Sequence, residues 1–169
     1  MFRFMGGRIT YRMAMNPRSQ GPFRDPIANP FPRIYIGDGL RLTYAFMERN
    51  MLTHVINCAD ETACRIRLPP ERYVCLNAID STEVQLFDTW YPEFKITMDR
   101  YLQDPTCRNV YVHCQAGINR SAFLAAGYII KTFGIPIDRC VQKIIHQRPC
   151  ALTNPAFADQ LKLFAKNSS

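Results

Sequence analysis

The chain has 169 residues, 47% of them hydrophobic, with 21 Lys and Arg against 14 Asp and Glu for a net charge of +7. That length suits one domain able to bury a core without covalent staples, and no apolar run approaches a membrane span or a signal-peptide core. Seven cysteines at irregular positions (58, 64, 75, 107, 114, 140 and 150) form no CxxC and no Cys/His cluster, which argues against a zinc site or a disulfide framework and for reduced thiols in the cytoplasm or nucleus.

The charge is concentrated at the start, where residues 1–24 hold Arg3, Arg8, Arg12, Arg18 and Arg24 and no acid. Gly6–Gly7, Pro17, Gly21–Pro22, Pro26, Pro30 and Pro32 forbid a long helix there. They predict an extended basic arm over residues 1–29, ahead of a folded domain over residues 30–169. A nucleic-acid surface would interleave Lys and Arg with aromatics on a folded face, whereas here the charge sits on the arm. An Arg-rich, acid-poor start also suits a mitochondrial transit peptide, although the glycines spoil an amphipathic helix. The oligomeric state is left open, with the arm packing either on its own domain or on a partner's in a dimer.

From Arg33 the pattern becomes regular. "RIYIGD" reads as a short strand, and Asp38 or Gly39 opens a helix through about Asn50, with Leu42, Ala45 and Phe46 on one face. "THVINCAD" (53–60), "RYVCLNAID" (72–80) and "NVYVHC" (109–114) read as buried strands of parallel type. Between the last two, residues 81–87 read as a loop and a helix runs to about Gln103, with Pro92 near its first turn and Trp90, Phe94 and Tyr101 in the core. "SAFLAAGYIIKTF" is apolar nearly all round, hence a central buried helix that Gly134 ends. Pro136 starts the next helix, which turns Ile137, Val141, Ile144 and Ile145 inward and stops at Pro149. Asn154 caps a last helix with Pro155 in its first turn and Phe157, Leu161 and Phe164 inward. Strands alternating with helices predict a single α/β domain: a mostly parallel central sheet of about five strands, with helices on both faces.

The chemistry gathers in "VHCQAGINRSA" (112–122). Cysteine six residues before arginine carries little by itself, but here Cys114 ends a buried strand and Arg120 opens a buried helix. The turn between them, with Gly117 at its middle, can aim successive N–H groups inward above a helix N-terminus and so make an anion nest. The same field stabilises a thiolate, making Cys114 a nucleophile at neutral pH. Arg120 can grip two phosphate oxygens at once, and Ser121 can donate a hydrogen bond to the sulfur.

"HCQAGINRS" resembles the signature loop of the cysteine-dependent protein phosphatases, and its Ala-Gly pair is most similar to the small dual-specificity phosphatases. The likeness runs from about Pro32 to Phe164, through "FPRIYIGD", "HVINCAD" and the closing "QRPCALTNPAFADQL". It implies a tyrosine-phosphatase-like fold and hydrolysis of phosphotyrosine and phosphoserine/threonine in protein substrates through a phosphocysteine, with no cofactor or metal. It implies that Cys114 attacks, that Arg120 and the backbone of Gln115, Ala116, Gly117, Ile118 and Asn119 bind phosphate, and that Asp80 in "YVCLNAIDSTEVQLFD" is the general acid. A leaving alkoxide needs a proton and the later water a base, and one carboxyl does both in turn. Asp88 competes for that role but stands where a helix cap is expected. His113 would orient the loop and tune the thiolate, and Asn154 would brace the site besides capping its helix.

Several plainer readings stand beside these. Asn119 can bond within the loop. Arg65, Arg67, Arg72 and Arg148 could line a substrate rim, or be scattered surface arginines. Cys58 ends the second buried strand on the catalytic edge of a parallel sheet, and some relatives use a cysteine there as a resolving thiol; the alternative is a packing cysteine, with Cys75 the next candidate. Alternative functions are an RNA 5′-triphosphatase, with RNA as partner, and a phosphate-dependent binding module without turnover. Phosphoinositide specificity is disfavoured because positions 115–119 carry no Lys.

Overall fold

The computed structural model describes residues 16–167 and the backbone of two short stretches, 3–5 and 8–10. Those stretches, β1 (Arg3–Met5) and β2 (Arg8–Thr10), pair antiparallel. The central sheet is five-stranded in the order β3 (Ala28–Phe31), β4 (Ile34–Asp38), β7 (Asn109–Cys114), β5 (Leu52–Asn57), β6 (Tyr73–Cys75). Within this sheet only the β3–β4 pair is antiparallel. Every residue of β7 after Asn109 is buried, as a strand needs when both sheet faces are covered.

The two faces are covered unequally. Ile34, Ile36, Ile56, Val110 and Val112 point into the main core, which α2 (Leu86–Gln103), α3 (Arg120–Phe133), α4 (Ile137–Gln147) and α5 (Pro155–Lys166) complete. Val55 and Tyr111 point the other way, toward Leu42, Met47 of α1 (Tyr44–Arg49) and flanking loop residues. α3 is buried without a break from Ser121 to Ile130 and ends at Gly134, whose φ of 66° is the left-handed cap that glycine adopts freely. α5 starts as its sequence dictates: the Asn154 side chain accepts from the N–H groups of Ala156 and Phe157, and Pro155 fills the first turn.

Four expectations change. Residues 16–31 are not a free arm, because β3 is a strand of the sheet and Asp25 and Ala28 are buried against the domain. A boundary at residue 29 therefore cuts through a strand. The arm's expected roles in targeting and dimerisation fall on residues 1–15, which apart from β1 and β2 lie outside the described residues. α1 begins at Tyr44, capped by the Thr43 hydroxyl, because Asp38 is still in the sheet opposite Cys114; Met47 rather than Ala45 turns inward. β6 stops at Cys75, since Asn77 takes a left-handed φ of 54° and swings the chain off the sheet. Pro92 lies deeper in α2 than its first turn. Among the described residues no helix is long and apolar enough to cross a membrane.

Candidate active site

β7 delivers Cys114 to the C-terminal edge of the sheet, and residues 115–119 return the chain to the start of α3. Each loop carbonyl has a donor. The Cys114 carbonyl accepts from Gly39 N–H at 3.0 Å and pairs with His113 Nδ1 at 3.0 Å, and the Gln115 carbonyl accepts from Gly39 N–H at 3.2 Å. Those of Ala116 and Gly117 accept from Arg148 Nη2 and Nε, both at 2.8 Å, and that of Ile118 accepts from Leu152 N–H at 2.7 Å. In a trans peptide the N–H points opposite to the C=O, so tying the carbonyls outward leaves the N–H groups for the concave side. Gly117 makes the turn possible: its φ is 63°, and a Cβ there would fall on the Gly37 carbonyl and within 2.7 Å of Asp38 N.

The sulfur lies at the floor of this nest. Cys114 Sγ accepts from Gly117 N–H at 3.2 Å and from the Ser121 hydroxyl at 3.3 Å, and the side chain is 2% exposed. Arg120 anchors one end of its guanidinium on the Ala78 carbonyl, Nη1 to O 3.0 Å, while its Nε–H is buried without a partner among the described residues. An unpaired buried donor is costly, and an oxyanion held in the nest would satisfy it.

Asp80 stands on the loop between β6 and α2, facing this constellation. Asn119 Nδ2 donates to its Oδ2 at 3.2 Å and Asn154 Nδ2 to its Oδ1 at 3.1 Å. Asn119 is itself fixed, its Oδ1 accepting from the N–H groups of Thr153 and Asn154, each at 2.9 Å. The two asparagines thus fasten the β6–α2 loop to residues 115–119 and to the start of α5. Asp88 is exposed in the first turn of α2, where its charge suits the helix N-terminus.

His113 is fully buried, and burial pushes its pKa down to about 4, against smaller opposing effects of the Cys114 carbonyl and Asp38. It is therefore neutral at physiological pH, with its Nδ1 on the Cys114 carbonyl. Cys58 follows β5 at the register position beside Cys114, after the Asn57–His113 pair, and its N–H donates to the His113 carbonyl at 2.7 Å. Burial pushes the Cys58 thiol up, and the nearby Cys114 pushes it further.

The family model for the dual specificity phosphatase catalytic domain matches residues 34–167. The chain belongs to the dual-specificity phosphatases. This phosphatase is 28% identical over 144 residues to human protein phosphatase Slingshot homolog 3, covering 83% of this chain and 21% of that one. It is 29% identical over 137 residues to mouse dual specificity protein phosphatase 22, covering 80% and 72%. The chain thus spans about a fifth of the Slingshot homologue's length. Among solved structures, human DUSP28 superposes with a TM-score of 0.74 at 18% identity, over 86% of this chain and 97% of that one, a likeness of fold.

The phosphatase also uses residues that motif reading passes over. Arg148 is the main correction: it is not on a rim but wholly buried beneath the loop. Arg65 and Arg67 are exposed on the β5–β6 loop. Leu152 is buried with a φ of 63°, a strained backbone for a non-glycine, and that geometry accompanies its bond to Ile118. Asp38, buried at the end of β4, lies 3.7 Å from Arg148 Nη2. One signal lay in "QRPCALTN": an arginine between a helix end and a proline cannot continue the helix and must turn somewhere.

Proposed function

We propose that this phosphatase hydrolyses phosphotyrosine and phosphoserine/threonine in proteins through a phosphocysteine intermediate. The observation that supports it best is the Cys114 sulfur, held by Gly117 and Ser121 at the floor of a loop whose carbonyls all face away. The N–H groups of residues 115–120 and the Arg120 guanidinium bind the phosphoryl oxygens. Cys114 thiolate attacks phosphorus, the P–O bond to the substrate breaks, and Asp80 gives its proton to the departing oxygen. Water then attacks the phosphocysteine while Asp80 takes its proton, and the thiolate leaves with Ser121 donating to it, releasing inorganic phosphate. Intact Cys114, Arg120 and Asp80 favour turnover over a binding module.

Asp80 and Gln115 are both exposed, so the rim of the site stands near the surface and a short phosphothreonine can reach Cys114 as a longer phosphotyrosine does. Matched phosphothreonine and phosphotyrosine peptides should both give measurable kcat/KM. Activity confined to phosphotyrosine would show a deep pocket, and preference for triphosphorylated RNA would replace the reading.

We infer that Cys58 protects the nucleophile, a reading supported by its register position beside Cys114. A hydroperoxide oxidises the Cys114 thiolate to sulfenic acid; the Cys58 thiol then displaces water from that sulfur and forms a disulfide. All seven cysteines are free thiols, in keeping with a reducing compartment, cytoplasm or nucleus. After mild peroxide, peptide mapping should find a Cys58–Cys114 disulfide, and thiol reductant should restore activity. If Cys58→Ser recovers as fully as the parent protein, Cys58 only packs.

A further inference from the structure

The hydrogen bonds of Arg148 lead from the phosphate loop to chain outside the family match, which begins at residue 34. A guanidinium has five N–H bonds, and Arg148 directs all of them at backbone carbonyls. Nε and Nη2 hold Gly117 and Ala116 of the loop. Nη2 also donates to Pro22 at 2.8 Å, and Nη1 to Asp25 at 3.1 Å and Pro26 at 2.9 Å. Asp38 supplies the countercharge and is shared with Arg41, whose Nε lies 2.6 Å from its Oδ2. Arg41 Nη2 returns to the same segment, to the Asp25 carbonyl at 2.7 Å and the Pro22 carbonyl at 3.3 Å.

The segment is pinned in turn by the Asp25 carboxylate. It accepts from the Ser19 hydroxyl at 2.7 Å, from Gln20 N–H at 2.7 Å, and from Cys150 N–H at 2.9 Å. Burial pushes this carboxyl up, but those hydrogen bonds more than offset it and hold it below the usual aspartate range. Cys150 lies two residues from Arg148 and two from Leu152, the other residue that holds a loop carbonyl. One buried cation therefore couples residues 19–26 to the peptide planes that aim the N–H groups of Gly117 and Ile118.

We propose that residues 19–26 are a brace for the phosphate loop, acting through Arg148 as a positioning residue. This rests on the phosphatase reading above. Lysine at 148 keeps the charge but concentrates its donors on one ammonium, which cannot span carbonyls on two separate segments. The Ala116 and Gly117 planes would then be free to rotate, and the oxyanion would lose aligned donors.

The test measures orthovanadate binding and the iodoacetamide alkylation rate of Cys114 on the full chain, below the melting temperature of each variant. Arg148→Lys should weaken vanadate ~10- to 100-fold and lower kcat/KM on a phosphopeptide by a similar factor. Asp25→Ala, which keeps Arg148 but frees the segment, should weaken vanadate by roughly 3- to 10-fold, with Asp25→Asn restoring part of it through its remaining acceptor. Should Arg148→Lys not fold, the Asp25 pair decides. Vanadate affinity and Cys114 alkylation equal to the parent's in the folded variants would overturn the brace. A parent protein that binds no vanadate would instead overturn the phosphatase reading on which the brace depends.

Discussion

Cys114→Ser is expected to lower kcat on a phosphopeptide by at least ~10⁴-fold while the phosphopeptide still binds. The reason is specific to this site. Gly117 N–H and the Ser121 hydroxyl both donate to the sulfur, and a serine oxygen in its place is a weaker nucleophile and a poorer leaving group in the second step. The loop carbonyls are held by Gly39, Arg148 and Leu152, none of which depends on the sulfur, so the anion nest survives the substitution. Rapid-quench or stopped-flow turnover with calorimetric binding of the same phosphopeptide separates the two effects. Turnover persisting in a homogeneous Cys114→Ser sample would remove the nucleophile from the mechanism.

Asp80→Asn should lower kcat on phosphopeptides by ~10²- to 10⁴-fold, the range for loss of a positioned general acid. The loss should shrink on an aryl phosphate with an acidic phenol as leaving group, which departs without a proton. An asparagine at 80 fits the same space, but one of its termini is an amide donor facing the amide of Asn119 or Asn154, where Asp80 offers acceptors to both. Asn154→Ala should give a milder version of the same phenotype, because it frees Asp80 Oδ1 without removing the acid. It also strips the cap from α5, which costs about 1 kcal/mol of stability, so melting temperatures should be measured beside the kinetics. If Asp88→Asn shows the leaving-group dependence and Asp80→Asn does not, the proton comes from the wrong end of the loop for this scheme.

Local sequence determined the pieces whose physics is local. β7 runs from Asn109 to Cys114 because an uninterrupted β-rich apolar run can be satisfied only inside a parallel sheet. α3 stops before Gly134, and α5 starts after Asn154, because a left-handed glycine and a side-chain cap act within one turn of chain. Strand, turn and helix in that order mark where the anion nest forms at Cys114. What tertiary structure alone decided is which distant groups hold it. Pro22 and Pro26 read as punctuation of an arm because proline reports only backbone freedom, and their carbonyls carry no sequence signal. Arg148 reads as a surface cation because burying a guanidinium is unfavourable unless acceptors surround it, and its acceptors come from residues 22–26 and 116–117. Asn119 and Asn154 likewise meet Asp80 only once β6 peels away at Asn77 and α5 docks on α3. The nucleophile is encoded within a few residues, whereas the alignment of its peptide N–H groups depends on backbone carbonyls more than 90 residues away, which become neighbours only when the chain closes on itself.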